Sequence, residues 1–297
     1  MRINTNTSAA TATRYLNNAT NSITKNMSKL SSGLRITNAA DDATGLVISE
    51  QMKNQIKGFD QAIKNAEQAS AMLSTAEGAL GQQEEIVSRI RELVVGANTG
   101  NMNDANKKTT QDEIDKLLDQ IKSIADQTAY NTKKLLNVSG ASGAKLSLTF
   151  QIGANAGEKL EVDIMASRLQ DLGKVSGYSA TDNGLSGFTI MSGSGATAVG
   201  KSVSDMSGLI LSLDEALKNL SENRATLGAT INRLDYTVSN LEVSKENLDA
   251  SKSLITDVDM ADEYVNMSTN QILEQVSMSM LSQANQKSQS ILTLLQG

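Results

Sequence analysis

Two runs of apolar residues, one toward each end of this chain, recur at alternating steps of four and three, and that spacing points to long paired helices. The stronger run is Leu227, Ile231, Leu234, Val238, Leu241, Leu248 and Ile255, with Lys245 and Lys252 interrupting it. Toward the other end, Leu16, Ile23, Met27, Leu30 and Leu34 share a helical face, with Thr20 at the remaining position. An α-helix turns once per ~3.6 residues, so positions spaced this way form a stripe that packs lengthwise against another helix. Burying each such side chain is worth roughly 1.5–3 kcal/mol. The chain has no proline in its 297 residues. Proline removes a backbone donor and clashes with the preceding turn, so its absence permits long uninterrupted helices.

Between the stripes the chain changes character. Gly33 interrupts the first helix, and the stretch Asn38-Ala-Ala-Asp-Asp42 reads as a break in which Asp41 or Asp42 caps a second helix. That helix carries Met52, Ile56, Phe59, Ile63, Ala66, Leu73, Leu80, Val87 and Val94 and ends between Gly96 and Gly100. A third runs from about Asn106 to Thr128, with Ile114, Leu117, Leu118, Ile121 and Ile124 on its apolar face. Twelve of the 21 glycines then fall between Val138 and Gly208, too dense a cluster for helix. Leu146, Leu148, Phe150 and Ile152 alternate with polar residues, as do Leu160, Val162 and Ile164 after a Gly-Ala-Asn-Ala-Gly connection. Such alternation on both sides of a Gly-rich turn predicts a β-hairpin. Helix resumes with the strong stripe. The acids Asp257, Asp259, Asp262 and Glu263 mark a junction before a last apolar face of Leu273, Val276, Met280, Ala284, Ile291 and Leu294.

The predicted fold class is therefore mainly α: long antiparallel coiled-coil-like helices from both termini, with a small β-hairpin region in the middle of the chain. Periodicity alone leaves open an ordinary helical bundle or a coiled-coil adaptor. Function classes narrow further. Histidine, cysteine and tryptophan are absent and aromatics are only 3% of the chain. A Cys nucleophile, a Ser-His-Asp triad and any zinc site built on His or Cys are thereby excluded. No catalytic group and no cofactor is expected. Charge is uneven: residues 1–40 hold Arg2, Arg14, Lys25, Lys29 and Arg35 and no acid, while Glu274 and Lys287 are the only charges from Tyr264 to Gly297. Helices bathed in water normally carry more, so both ends are expected to be covered by something. No apolar run approaches membrane-spanning length, and MRINTNTSAA lacks the apolar core of a secretory signal. Neither membrane nor nucleic acid is an expected partner, and any export is expected to proceed without a cleaved signal peptide.

Longer stretches carry a specific resemblance. Leu30-Ser-Ser-Gly-Leu-Arg-Ile-Thr-Asn-Ala-Ala-Asp-Asp-Ala-Thr-Gly45 is similar to the N-terminal hallmark of bacterial flagellins. Arg224-Ala-Thr-Leu-Gly-Ala-Thr-Ile-Asn-Arg-Leu234 resembles that family's last long core helix, and Met267-Ser-Thr-Asn-Gln-Ile-Leu-Glu-Gln-Val276 with Gln283-Ala-Asn-Gln286 resembles its terminal segment. Leu148-Thr-Phe-Gln-Ile-Gly-Ala-Asn-Ala-Gly-Glu158 resembles its core hairpin. The likeness covers nearly all of residues 1–165 and 208–297. It implies a secreted structural subunit, exported to the bacterial flagellum and polymerised into the filament used for motility. Residues 1–44 with 257–297 would form an inner helical domain, disordered until assembly. Residues 45–175 with 205–256 would form the helical core, and 176–204 a short exposed outer loop in place of large outer domains.

The resemblance also implies site residues and partners. Leu30, Leu34, Ile272, Leu273, Met280, Ile291, Leu292 and Leu295 would anchor assembly. Implied partners are other flagellin subunits, an export chaperone, and the cap and junction proteins. Ser88-Arg-Ile-Arg-Glu-Leu93 and Asp112-Glu-Ile114 match the motif through which some flagellins engage Toll-like receptor 5, which places Arg89, Leu93 and Glu113 at contact positions. Leu93 also fits an ordinary core position, and Glu113 with Thr110 fits a capping box. Ser179, Thr181, Ser192 and Ser194 are candidates for O-glycosylation or plain loop residues. A hook–filament junction protein, similar at both termini, and a cytoplasmic coiled-coil adaptor are the competing identities.

Overall fold

The computed structural model describes residues 6–99, 102–137, 145–169, 172, 185, 188–189, 191–192, 199–200 and 203–296. Among these residues lie five helices and three antiparallel strand pairs, in the order α1 (Thr7–Ser32), α2 (Ala43–Ala97), α3 (Asp104–Gln127), β1 (Ala129–Tyr130), β2 (Lys133–Lys134), β3 (Lys145–Gln151), β4 (Lys159–Met165), β5 (Met191–Ser192), β6 (Val199–Gly200), α4 (Val203–Thr256) and α5 (Met260–Gln296). The chain divides into two compact units, residues 1–57 with 244–297 and residues 58–243, so the division falls inside α2 and α4.

The helix ends follow from local chemistry. Asn6 caps α1 by accepting from the Ala9 amide, and Gly33 ends it at φ +70°, where its own amide donates to the Lys29 carbonyl. That left-handed conformation is open to glycine at little cost. Asp42 caps α2, its side chain accepting from the Gly45 amide and its carbonyl from the Leu46 amide. Gly45 packs so tightly that a Cβ would sit 2.7 Å from Ile36 Cδ1. Asp41 instead closes the preceding turn by accepting from the Thr37 and Asn38 amides and the Thr37 hydroxyl. At α3 the cap is Asn103, accepting from the Asn106 amide. Glu113 therefore lies well inside the helix and forms no capping box with Thr110, whose hydroxyl donates to the Asn106 carbonyl.

The unit of residues 58–243 holds the hydrophobic core. Along α2, Ala66, Ala69, Leu73, Ala76, Leu80, Val87, Ile90, Val94 and Ala97 are all essentially inaccessible. Their steps of three and four are broken only by Gln83, which is equally buried and donates to the Ile121 carbonyl. Met206, Leu209, Leu213, Ala216, Leu220, Leu227 and Leu234 of α4 join the same cluster, with Ile114, Leu118 and Ile121 of α3. The β3–β4 register sets Leu146 opposite Ile164, Leu148 opposite Val162 and Phe150 opposite Leu160. Apolar residues therefore face one side of the hairpin and join the core. Arg224 of α4 ties this core to α2, with both Nε and Nη2 donating to Glu77 Oε1 at 2.9 and 2.7 Å and Nη1 to Glu84 Oε2 at 2.6 Å. Hydrogen bonding from Arg224, and then from Ser221, holds the Glu84 carboxyl below the usual carboxylate range despite some burial.

Candidate self-association surface

Among its described residues the other unit has little core: Ala12, Ala19, Ile36 and Ile56 are the buried apolar ones. In it α1 packs antiparallel on α5, as the cross-helix hydrogen bonds show: Asn6 Nδ2 donates to the Ala284 carbonyl at 3.0 Å and the Thr20 hydroxyl to Glu274 Oε1 at 3.2 Å. With its amide turned to match its neighbours, Asn26 donates to Glu263 Oε1 at 3.0 Å and accepts from Asn270 Nδ2 at 3.2 Å. The chain segments that link these helices to the rest are stitched together. The Arg35 amide donates to the Thr256 carbonyl, the Val258 amide to the Gly33 carbonyl, and the Arg35 guanidinium to the Ile255 carbonyl. Asp257 beside them is held below its ordinary pKa by hydroxyls of Ser253 and then Thr256.

The seam between α1 and α5 is displaced from the apolar stripes in the sequence. On α1 the covered line is Ala12, Leu16, Ala19, Ile23, Asn26 and Leu30, while Met27, and Leu34 just past the helix end, turn outward. Ala12 and Ala19 are the two buried positions on this line. On α5 the covered line is Glu263, Met267, Asn270, Glu274, Ser277, Leu281 and Ala284, again in steps of four and three. It is mostly polar or small.

Apart from Met267 and Leu281, the described large apolar residues of α5 lie on its other sides. Val265, Ile272, Leu273, Val276 and Met280 fall on one flank, and each is at least 49% exposed. Tyr264 and Met278, also exposed, lie round the helix on other faces. An apolar flank of this size on a helix normally packs against other protein. Transfer of these seven half-exposed side chains out of water would be worth roughly 5–10 kcal/mol in total. Tyr15, Val276 and Met280 also line a groove of about 590 Å³ between the two helices.

Of the eight expected anchors, Leu30 is half-buried on the α1–α5 seam, and Leu34, Ile272, Leu273 and Met280 are exposed. Ile291, Leu292 and Leu295 continue the α5 backbone, but their side chains lie outside the described residues. Arg89 and Glu113 meet on the surface of the other unit, where Arg89 Nη2 donates to Glu113 Oε1 at 3.2 Å and Nη1 to Glu92 Oε2 at 3.1 Å. Glu113 first, then Glu92, raise the Arg89 pKa above its ordinary value. Leu93 is half-buried against the core. Ser179, Thr181 and Ser194 lie outside the described residues. Ser192 is described only as backbone of β5.

Among the described residues no cluster of acids could hold a metal ion, and no helix is long and apolar enough to cross a membrane. The arrangement is thus a large unpartnered apolar surface on a thinly sealed helix pair, suited to packing against further protein. Residues 3–141 match the model of the bacterial flagellin N-terminal helical region, and residues 210–295 that of the C-terminal helical region. The chain is 41% identical to the flagellin of Bacillus subtilis (strain 168), over 99% of this chain and all of that one. It is 37% identical to the flagellar filament 33 kDa core protein of Treponema phagedenis, over 99% of this chain and all of that one. Among solved structures, the crystal structure of Bacillus cereus flagellin is 23% identical with a TM-score of 0.44, covering 60% of this chain and 88% of that one. With both terminal regions matched and its full length aligned to curated flagellins, the chain belongs to the bacterial flagellin family.

Proposed function

We propose that this chain is the repeating subunit of an extracellular flagellar filament, and that α1 and α5 are where copies join. As a flagellin it is a structural protein and not an enzyme. The observation that carries the assembly reading is the outward face of α5, where Ile272, Leu273, Val276 and Met280 stand exposed beside a polar seam. An isolated chain gains nothing from that face, whereas neighbouring copies can bury it. In this reading residues 1–44 with 257–297 form the inner domain and 45–175 with 205–256 the core, leaving 176–204 outward. Ordering backbone costs about 1–2 kcal/mol per residue, so a thinly sealed inner pair becomes fully ordered only when copies cover it. Export without a cleaved signal, and contacts with an export chaperone, cap and junction proteins, belong to the same proposal.

Purified chain incubated with short filament seeds and followed by electron microscopy tests it: seeds that grow into long filaments are expected. Seeds that never elongate at any subunit concentration count against it. Placing an unpaired charge in a buried seam is strongly destabilising, so Leu292→Asp or Leu295→Asp should stop growth.

A second reading is favoured by one observation. Arg89 and Glu113 form an exposed ion pair across α2 and α3, with Leu93 alongside. That presents a charged and apolar patch on two rigid helices, suited to recognition by Toll-like receptor 5. A reporter cell line exposed to folded subunit, with Arg89→Ala as comparison, distinguishes the outcomes. No response from folded wild-type subunit eliminates this reading.

A further inference from the structure

We propose that Met280 is a site of reversible oxidation by hydrogen peroxide, and that its sulfoxide keeps a free subunit out of the growing polymer; this rests on the assembly reading above. Among methionines whose side chains are described, Met280 is the most exposed, at 62%, compared with 57% for Met27 and 52% for Met260 and Met278. Met72 and Met206 of the other unit are buried. Position separates Met280 from the other exposed thioethers. It lies on the α5 flank with Ile272, Leu273 and Val276, and it lines the groove shared with Ala12 and Tyr15. Met278 lies off that flank.

The chemistry closes without a further reactant. The thioether sulfur attacks one peroxide oxygen, the O–O bond breaks and an S–O bond forms. The departing hydroxide takes the proton from the transferred oxygen and leaves as water. Sulfur loses two electrons and peroxide gains them. The product is a polar, chiral sulfoxide in place of a flexible apolar side chain. A sulfoxide reductase reverses it with two thiols as reductant, which leave as a disulfide while the oxygen leaves as water. On the free subunit the new dipole is solvated and costs little. Packed against a neighbouring copy, it must lose that water inside an otherwise apolar stripe. Oxidation therefore discriminates between free and assembled chains: the thioether is reachable before docking, and its product opposes docking.

The test uses full-length chain, untreated or exposed briefly to hydrogen peroxide, with peptide mapping by mass spectrometry and seeded elongation read by light scattering. Sulfoxide is expected at Met280 at a rate at least roughly tenfold above Met206, with elongation slowed by about tenfold or more. A Met280→Leu chain keeps the side-chain volume and is expected to elongate within about twofold of its untreated rate after the same exposure. Treated wild-type chain that carries the Met280 sulfoxide and still elongates normally overturns the proposal alone. So does a Met280→Leu chain slowed as much as wild type, because the damage then lies at another methionine. Untreated chain that fails to elongate overturns the assembly reading, and the proposal falls with it.

Discussion

The same spacing of threes and fours produces opposite surfaces in the two units. In α2 the seam from Ala66 to Ala97 is apolar at every position but Gln83, and the structure closes completely over it. Between α1 and α5 the seam mixes Asn26, Glu263, Asn270, Glu274 and Ser277 with Leu16, Ile23, Leu30, Met267, Leu281 and three alanines, while Ile272, Leu273, Val276 and Met280 point away from it. One unit buries most of its large apolar side chains, although Leu211, Tyr236 and Val243 stay exposed. The other leaves most of those on α5 outward. Coiled-coil periodicity therefore specifies that helices pair without specifying which face pairs within the chain and which face remains for another copy.

The sharpest way to break this comparison is truncation of one residue on each surface. Leu80→Ala leaves a cavity in the sealed core and should cost about 2–5 kcal/mol in urea unfolding of the subunit. Ile272→Ala, already exposed, should cost under about 1 kcal/mol in the same measurement while clearly slowing seeded elongation. Equal losses of subunit stability at the two positions would erase the distinction between them.

A smaller effect is expected at the Arg224 clamp, which ties α4 to α2. The lowered folded-state pKa of Glu84 means that its ionised form is favoured more in the folded chain than in the unfolded one. The stability this adds is fully present above the unfolded carboxyl value and is lost as pH falls through the lower folded value. Arg224→Met should therefore destabilise the subunit near pH 7 by about 1–2 kcal/mol, since both carboxylates are partly solvated. The gap between variant and wild-type melting temperatures should narrow below about pH 4.5. A gap that stays constant to pH 3 would mean that the clamp acts through packing of the arginine stem instead.

The smallest expected effect sharpens the comparison from the other side. Glu274 occupies the α1–α5 seam, where its carboxylate accepts from the Thr20 hydroxyl. Glu274→Leu should make the seam more like that of α2, adding up to about 1 kcal/mol. Hydrogen exchange should show slower exchange of α1 amides in the free subunit.

Much of the fold was legible in sequence because local chemistry decided it. Gly33 stops α1, Asp42 starts α2, the β3–β4 alternation sets the hairpin face, and the acids after Thr256 mark the break before α5. The register of the α1–α5 pair was not legible. Apolar periodicity marks Leu16, Ile23, Met27, Leu30 and Leu34, yet the covered line takes Ala12, Ala19 and Asn26 and releases Met27 and Leu34. A helix with two adjacent stripes gives no internal sign of which one its own chain will cover. The polar line on α5 is invisible to any search for apolar repeats. The β1–β2 turn was missed for a different reason: Asn131 and Thr132 adopt φ of 47° and 67° without a glycine, and threonine in that region carries no sequence signal. The α3 cap fell at Asn103, ahead of the polar pair Thr110 and Glu113 that mimics a start.

The central claim is that the outward face of α5 is completed by other copies, and thiol labelling measures that face directly. The chain has no cysteine, so Ile272→Cys introduces a single probe whose reaction with a maleimide reports cover at that position. Labelling should be fast in the free subunit and slowed by at least about tenfold once the chain is assembled on seeds. Equal labelling in subunit and filament would mean that the face stays in water after assembly, and would contradict the claim.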